Sequence, residues 1–202
     1  MNGDPRVDQD RMIVRQLIRP MVNIYEVTIA GPDGKTPGPM IAYAKQKRMR
    51  LKEEIRFFTD QSQAHPLFTL KARRVIEFGG HYDVIAPDGA VVGTVRKMAK
   101  KSLLRSTYEL LGPDGQVSAW VQEESQGIAI FRRLKDLIPY GEYIPIPYHF
   151  TFHIGETVVG RYSRIIGLRD KYLLDLTPDA EKKVDRRVAI ALAIALDALQ
   201  AR

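Results

Sequence analysis

From Val188 to Leu196 the chain reads Val-Ala-Ile-Ala-Leu-Ala-Ile-Ala-Leu, without one polar side chain. A helix made from this run has no polar face, so it must be surrounded on every side by protein or by lipid. A bilayer span needs about 20 apolar residues, roughly twice what the run supplies, which leaves protein as the surroundings. The alternating alanines keep the helix thin, while Val184, Val188, Ile190, Leu192, Ile194, Leu196 and Leu199 project outward to meet a wall. Burying these side chains is worth roughly 10 to 20 kcal/mol as an upper bound. That equals or exceeds the ~5 to 15 kcal/mol net stability of a whole domain. The helix is therefore expected to be a condition of folding. Its predicted start is Thr177 as N-cap, with Pro178 in the first helical position and Asp179 and Glu181 in the first turn.

The wall is predicted from a recurring hairpin unit, in which an aromatic-led apolar run, a Pro-Asp-Gly and a second apolar run follow in order. Tyr25–Ile29 leads through Pro32-Asp33-Gly34 and the loop Thr36-Pro37-Gly38-Pro39 to Met40–Tyr43. Tyr82–Ile85 leads through Pro87-Asp88-Gly89 to Val91–Val95, and Tyr108–Leu111 through Pro113-Asp114-Gly115 to Val117–Val121. A degenerate copy joins Phe152–Ile154 to Thr157–Val159 through Gly155-Glu156. Proline presets φ at the first turn position, aspartate caps the turn through its carboxylate, and glycine takes the positive φ of the reversal. Unequal spacing between copies excludes a propeller or solenoid. Further predicted strands are Met12–Ile18, Ile55–Thr59, Leu67–Lys71, Val75–Phe78, Ile128–Arg132, Tyr148–Phe152 and Tyr172–Leu176. About a dozen strands in one sheet expose edges unless the sheet closes. The apolar helix decides for closure over a sandwich. The predicted fold is mostly β, a closed antiparallel barrel of about twelve strands around a central hydrophobic C-terminal α-helix.

At 202 residues, with 45% hydrophobic content and no linker-like segment, residues 12–202 are read as one barrel domain. Residues 1–11 carry acids and no apolar stretch, and are expected as a disordered polar tail rather than a signal peptide. The absence of cysteine excludes disulfides, thiolate nucleophiles and Cys-based zinc sites, and fits a cytoplasmic location.

Signals for catalysis are missing. No Gly-x-Ser-x-Gly elbow, Walker loop or dinucleotide-binding fingerprint occurs. Glu123 and Glu124 are adjacent and so face opposite sides of a strand. His149 and His153 share a face of a predicted strand but lie roughly 13 Å apart along it, too far to chelate one ion. His65 and His81 are read as surface or turn residues. Neither an enzyme, nor a metal site, nor a cofactor is expected.

What remains is charge. The net charge of +7 favours anionic partners. The bases cluster as Lys45, Lys47, Arg48, Arg50 and Lys52; as Arg96, Lys97, Lys100, Lys101 and Arg105; and as Arg132, Arg133 and Lys135. The second cluster lies between two predicted strands. There Lys97, Lys100, Lys101, Ser102 and Arg105 could bring ammonium groups, a hydroxyl and backbone N–H groups to one phosphate. Leu103 and Leu104 could dip into a lipid interface. Against this stands the ordinary reading of a charge run as a solvated surface. Nucleic acid is disfavoured, because the aromatics lead the hairpins as core residues do and do not interleave with bases. Trp120 is likewise read as core.

Three passages together resemble the Tubby C-terminal-like superfamily, and within it the LURP-one-related and phospholipid-scramblase-like branch. They are Tyr82-Asp83-Val84-Ile85 with Gly89 and Gly93-Thr94-Val95-Arg96-Lys97; Ser102-Leu103-Leu104-Arg105-Ser106-Thr107-Tyr108; and the end of the chain from Asp185-Arg186-Arg187 to Leu196-Asp197-Ala198-Leu199. The likeness extends from about Met12 onward. It implies a twelve-stranded barrel around a central helix, in agreement with the reading above. Members are variously associated with phosphoinositide binding and with membrane-lipid or defence functions. Scramblase-like relatives can carry a calcium-binding acidic segment, but Asp170-Lys171-Tyr172-Leu173-Leu174-Asp175 is too sparse in ligands for one.

The expected function is that of a non-enzymatic module binding anionic phospholipid or phosphoinositide headgroups at a membrane surface, cytoplasmic and peripheral to the membrane. A protein-binding scaffold without a small ligand is the alternative. A scramblase-like lipid function, with the helix inserted in a membrane, comes third because the apolar run is short.

Overall fold

Each Pro-Asp-Gly closes a turn in the way its chemistry dictates. Gly34, Gly89 and Gly115 sit at φ of +66°, +89° and +77°, and their N–H groups donate to the carbonyls of Gly31, Ala86 and Gly112. The preceding carboxylates fold over the turn: Asp88 Oδ1 accepts from Ala90 N and Asp114 Oδ1 from Gln116 N, both at 3.0 Å. Asp33 accepts from the backbone of Lys35 and Thr36 and from the Thr36 hydroxyl. Those bonds, the Thr36 backbone foremost, hold its pKa down to about 2.

The computed structural model describes residues 4–19, 22–47, 54–73, 80–98, 106–124, 149–165 and 171–200. These form twelve strands: β1 (Arg11–Arg19), β2 (Val22–Ala30), β3 (Pro37–Lys47), β4 (Glu54–Phe58), β5 (Pro66–Ala72), β6 (His81–Ile85), β7 (Val91–Lys97), β8 (Thr107–Leu111), β9 (Val117–Glu123), β10 (His149–Ile154), β11 (Thr157–Arg164) and β12 (Lys171–Asp175). Each strand pairs antiparallel with the next, and β12 returns to β1 through Met12 opposite Leu174 and Val14 opposite Tyr172. The sheet is a closed barrel without a free edge. The predicted strands on β1, β4, β5, β10 and β12 are displaced by one or two residues at their ends. Val75–Phe78 and Ile128–Arg132 lie outside the described residues.

Helix α1 (Arg186–Gln200) supplies the core's centre. Every residue from Val188 to Leu196 is at most 3% exposed. It forms one cluster with the inward residues of the strands, among them Tyr25, Phe57, Phe68, Val84, Tyr108, Phe150 and Tyr162. Gly93 on β7 lies close against both the next strand and the helix: a Cβ there would stand 2.6 Å from the Leu111 carbonyl oxygen and 2.8 Å from Val188 Cγ2.

The helix begins eight residues later than predicted, at Arg186 rather than Pro178. Thr177, Pro178 and Asp179 are turn residues, with Asp179 N donating to Leu176 O, and Lys182 takes φ +53°, which a helix does not accommodate. Asp185 is the cap, its carboxylate accepting from Arg187 N at 2.9 Å. Asp179 does something else. Buried to 2% exposure, its carboxylate accepts from Lys183 N, Val184 N and Arg186 Nη1, the last at 2.6 Å. Arg186, equally buried, reaches on to Asp10 at 2.6 Å. The stretch expected as a tail joins the same assembly. Within it Pro5–Val7 forms a 3-10 turn, Val7 is 3% exposed in the core, and Asp8 pairs with Lys182 at 2.5 Å.

Two substitutions test this packing. Gly93→Ala should lower the urea unfolding free energy by about 1–3 kcal/mol, because a strand carbonyl cannot step aside for the added methyl. Arg186→Met should cost about 3–5 kcal/mol by leaving the Asp179 charge buried alone. Asp10→Asn should cost a small part of that, since the Asp10 side chain is half exposed.

Candidate functional site

An antiparallel meander sorts its connections into two sets. The hairpin turns 31–36, 59–65, 86–90, 112–116 and 155–156 lie at one end of the barrel, with the start of α1. The connections after β1, β3, β5, β7, β9 and β11 all leave from the other end. Residues 20–21, 48–53, 74–79, 99–105, 125–148 and 166–170 of those connections hold eleven Lys or Arg against five Asp or Glu. The five turns hold five acids (Asp33, Asp60, Asp88, Asp114 and Glu156) and one base, Lys35. By sequence, then, the connections that leave one end of the barrel are basic and the turns at the other end are acidic. The three basic clusters, scattered in sequence, fall in or beside connections whose flanking strands end on the same side of the barrel, and most of their bases lie outside the described residues.

Of the predicted contact residues, Lys97 is described, exposed at the end of β7. Lys100, Lys101, Ser102 and Arg105 lie outside the described residues. The segment that carries them is tethered at both sides. Lys97 N donates to Gly80 O at 3.1 Å, and Met98 N to Thr107 O at 2.9 Å. Arg96, at the start of the cluster, lies on the outer face and binds Glu109 through Nε at 2.8 Å and through Nη2. It is therefore a structural cation. The same holds for Arg73, whose Nε donates to Asp83 at 2.7 Å and whose pKa that bond raises. Lys45 and Lys71, at the ends of β3 and β5, are exposed and pair with no other described residue.

The remaining candidates resolve into structural roles. Glu123 is buried, with Oε2 accepting from Ser106 N at 3.4 Å, whereas Glu124 is exposed and pairs with Arg161 at 3.3 Å. Asp175, considered for calcium, pairs with Arg11 at 3.3 Å. Among the described residues no group of three or more His, Asp and Glu could hold a metal ion.

Trp120, read from sequence as core, belongs instead to the outer face. It lies flat on His153, ring centroids 3.9 Å apart and planes 5° from parallel, and its Nε1 donates to Gly155 O at 3.2 Å. The signal was in the alternation of Ser118, Trp120 and Gln122 with the inward Ala119 and Val121. His153 shares a hydrogen bond with Thr151 Oγ1 at 2.7 Å, and burial lowers its pKa. Because the folded value lies below the ordinary ~6.5 of an unfolded histidine, the unfolded state binds the proton first. Stability is full above that pH and falls as pH drops through the folded value. An NMR titration should place the His153 midpoint below ~6.5, and Trp120→Ala, by exposing the ring, should move it back toward that value.

Among the described residues no helix is long and apolar enough to cross a membrane. Compared with known proteins, residues 40–197 match the model of one family, LURP-one-related. No curated protein and no solved structure matches the chain.

Proposed function

We propose that this chain, which belongs to the LURP-one-related family of the Tubby C-terminal-like clan, is a non-enzymatic module that docks end-on against anionic phospholipid, phosphoinositides included. The observation that carries the reading is the division of charge between the barrel's two ends. A body with bases gathered at one end and acids at the other turns its basic end toward a negative surface before contact.

Among these connections the one between β7 and β8 carries the largest net charge, with Lys100, Lys101 and Arg105 and no acid in residues 99–105. Lys97, Lys100 and Lys101 supply compact charges, Arg105 a guanidinium fork that fits a phosphate, and Ser102 a neutral donor. The work of this face is attraction and positioning, which needs no catalytic group. The inner leaflet of the plasma membrane is where anionic lipid concentrates, so the reading places the protein in the cytoplasm, peripheral to the membrane.

Co-sedimentation with neutral and anionic vesicles over a salt series tests it. Binding is expected to anionic vesicles alone, lost toward ~1 M salt, where the screening length falls to about 3 Å. At about 1 kcal/mol per lysine near such a surface, Lys100→Glu with Lys101→Glu should weaken binding about thirtyfold or more. Unchanged binding of the double variant overturns the site. Absence of binding by the wild-type protein at low salt overturns the function and favours a protein partner.

A further inference from the structure

At the end of the barrel opposite the basic connections, the β6–β7 and β8–β9 turns and residues 182–188 enclose a cavity of about 350 Å³. That is near the small end of the range for small-molecule sites. Its apolar wall is built from both sides, by Val92 and Leu110 of the barrel and by Val184 and Val188 at the start of the helix. Val91 also lines it and is left 40% exposed. Val117, 50% exposed, stands across the ladder from Leu111, another lining residue. Large apolar side chains left to water around a concavity are what an apolar ligand covers.

The charged groups of the lining are Lys182, Lys183 and Arg187 against Asp88 and Asp185, with Asp8 and Glu181 beside the two lysines. Their present partners differ in strength. Arg187 is gripped at two points by Asp185, at 3.1 and 2.7 Å. Lys182 and Lys183 pair with Asp8 and Glu181 through side chains that are about half exposed, and such pairs are worth little. The two lysines can therefore exchange partners at small cost. The first helical N–H groups are less available, because Asp185 already accepts from Arg187 N.

We infer that this cavity binds a small monoanionic amphiphile, an apolar body against Val92, Leu110 and Val188 with one carboxylate held by Lys182 and Lys183. A single carboxylate fits because the two lysines can turn to it only by giving up Asp8 and Glu181, whose exposed carboxylates then return to water. A polyanion such as a phosphorylated headgroup would bring uncompensated charge beside Asp88 and Asp185. The two ends of the barrel thus select different ligands.

The test is a titration of the full chain, labelled with nitrogen-15, by octanoate, with 1-octanol and octylammonium as neutral and cationic controls. Octanoate should give saturable shifts at the amides of Val92, Leu110, Leu111 and Val188, and bind more tightly than either control. Lys183→Glu should weaken it about fivefold, the effect of a rim charge. Ala90→Trp, at an exposed lining position, should abolish it by filling the mouth. Lys100→Glu with Lys101→Glu should leave it unchanged, which separates this site from the lipid-docking end. The inference is overturned by the absence of shifts up to ~10 mM octanoate, by equal affinity for octanol or octylammonium, by shifts centred elsewhere, or by full binding in Ala90→Trp.

Discussion

Enclosing α1 is the constraint from which the rest of the structure follows. A helix without a polar face has no tolerable exposed state in water, and the barrel without it would have a hollow centre. Neither part is therefore expected to fold alone. The mutual fit is tight enough that one strand position at the contact, Gly93, has no room for a methyl group. Side chains from nearly every strand join the cluster around the helix, so the order of strands, the closure of β1 on β12 and the path of the C-terminal segment are parts of one solution.

Holding the helix in place falls to a buried ion pair. Asp179 and Arg186 are both almost wholly removed from water, and each is satisfied by more than the other, Asp179 by two backbone N–H groups and Arg186 by Asp10 and the Val184 carbonyl. That is the circumstance in which a buried pair survives its desolvation cost. It also ties residues far apart in the chain, the segment before β1 and the start of the helix, to the turn end. Packing holds the helix inside the barrel, and the ion pair sets the point at which it begins.

The division of charge across the barrel rests on the same topology. Successive connections in a meander alternate between ends, so bases in every second connection are carried between strand ends on the same side of the barrel, whatever their distance in sequence. The turns at the other end need aspartate for their geometry, since its carboxylate caps the reversal, and this makes that end acidic for reasons of folding alone. The polarity of the molecule is therefore in part a by-product of how its hairpins turn.

Local chemistry was legible in the residues themselves. The Pro-Asp-Gly turns, the strands between them, the need to close the sheet and the total burial of Val188–Leu196 all follow from short stretches read one at a time, because turn geometry and the absence of a polar face are local properties. The alternation on β9 carried the signal that Trp120 faces outward, but the lone tryptophan was read as core and the signal was missed. The true start of the helix was not legible. Thr177-Pro178-Asp179 has the composition of an N-terminus, and only the burial of Asp179 against Arg186 turns it into a turn and anchor. Nor could the sequence reveal that the segment before β1 packs into the core, that the strands flanking three separate basic stretches end on one side of the barrel, or that two hairpin turns and the approach to α1 leave a cavity between them. Each of these depends on which distant residues meet, and that is decided by closure of the barrel, since a ladder's partners are set by the whole sheet and not by any one strand.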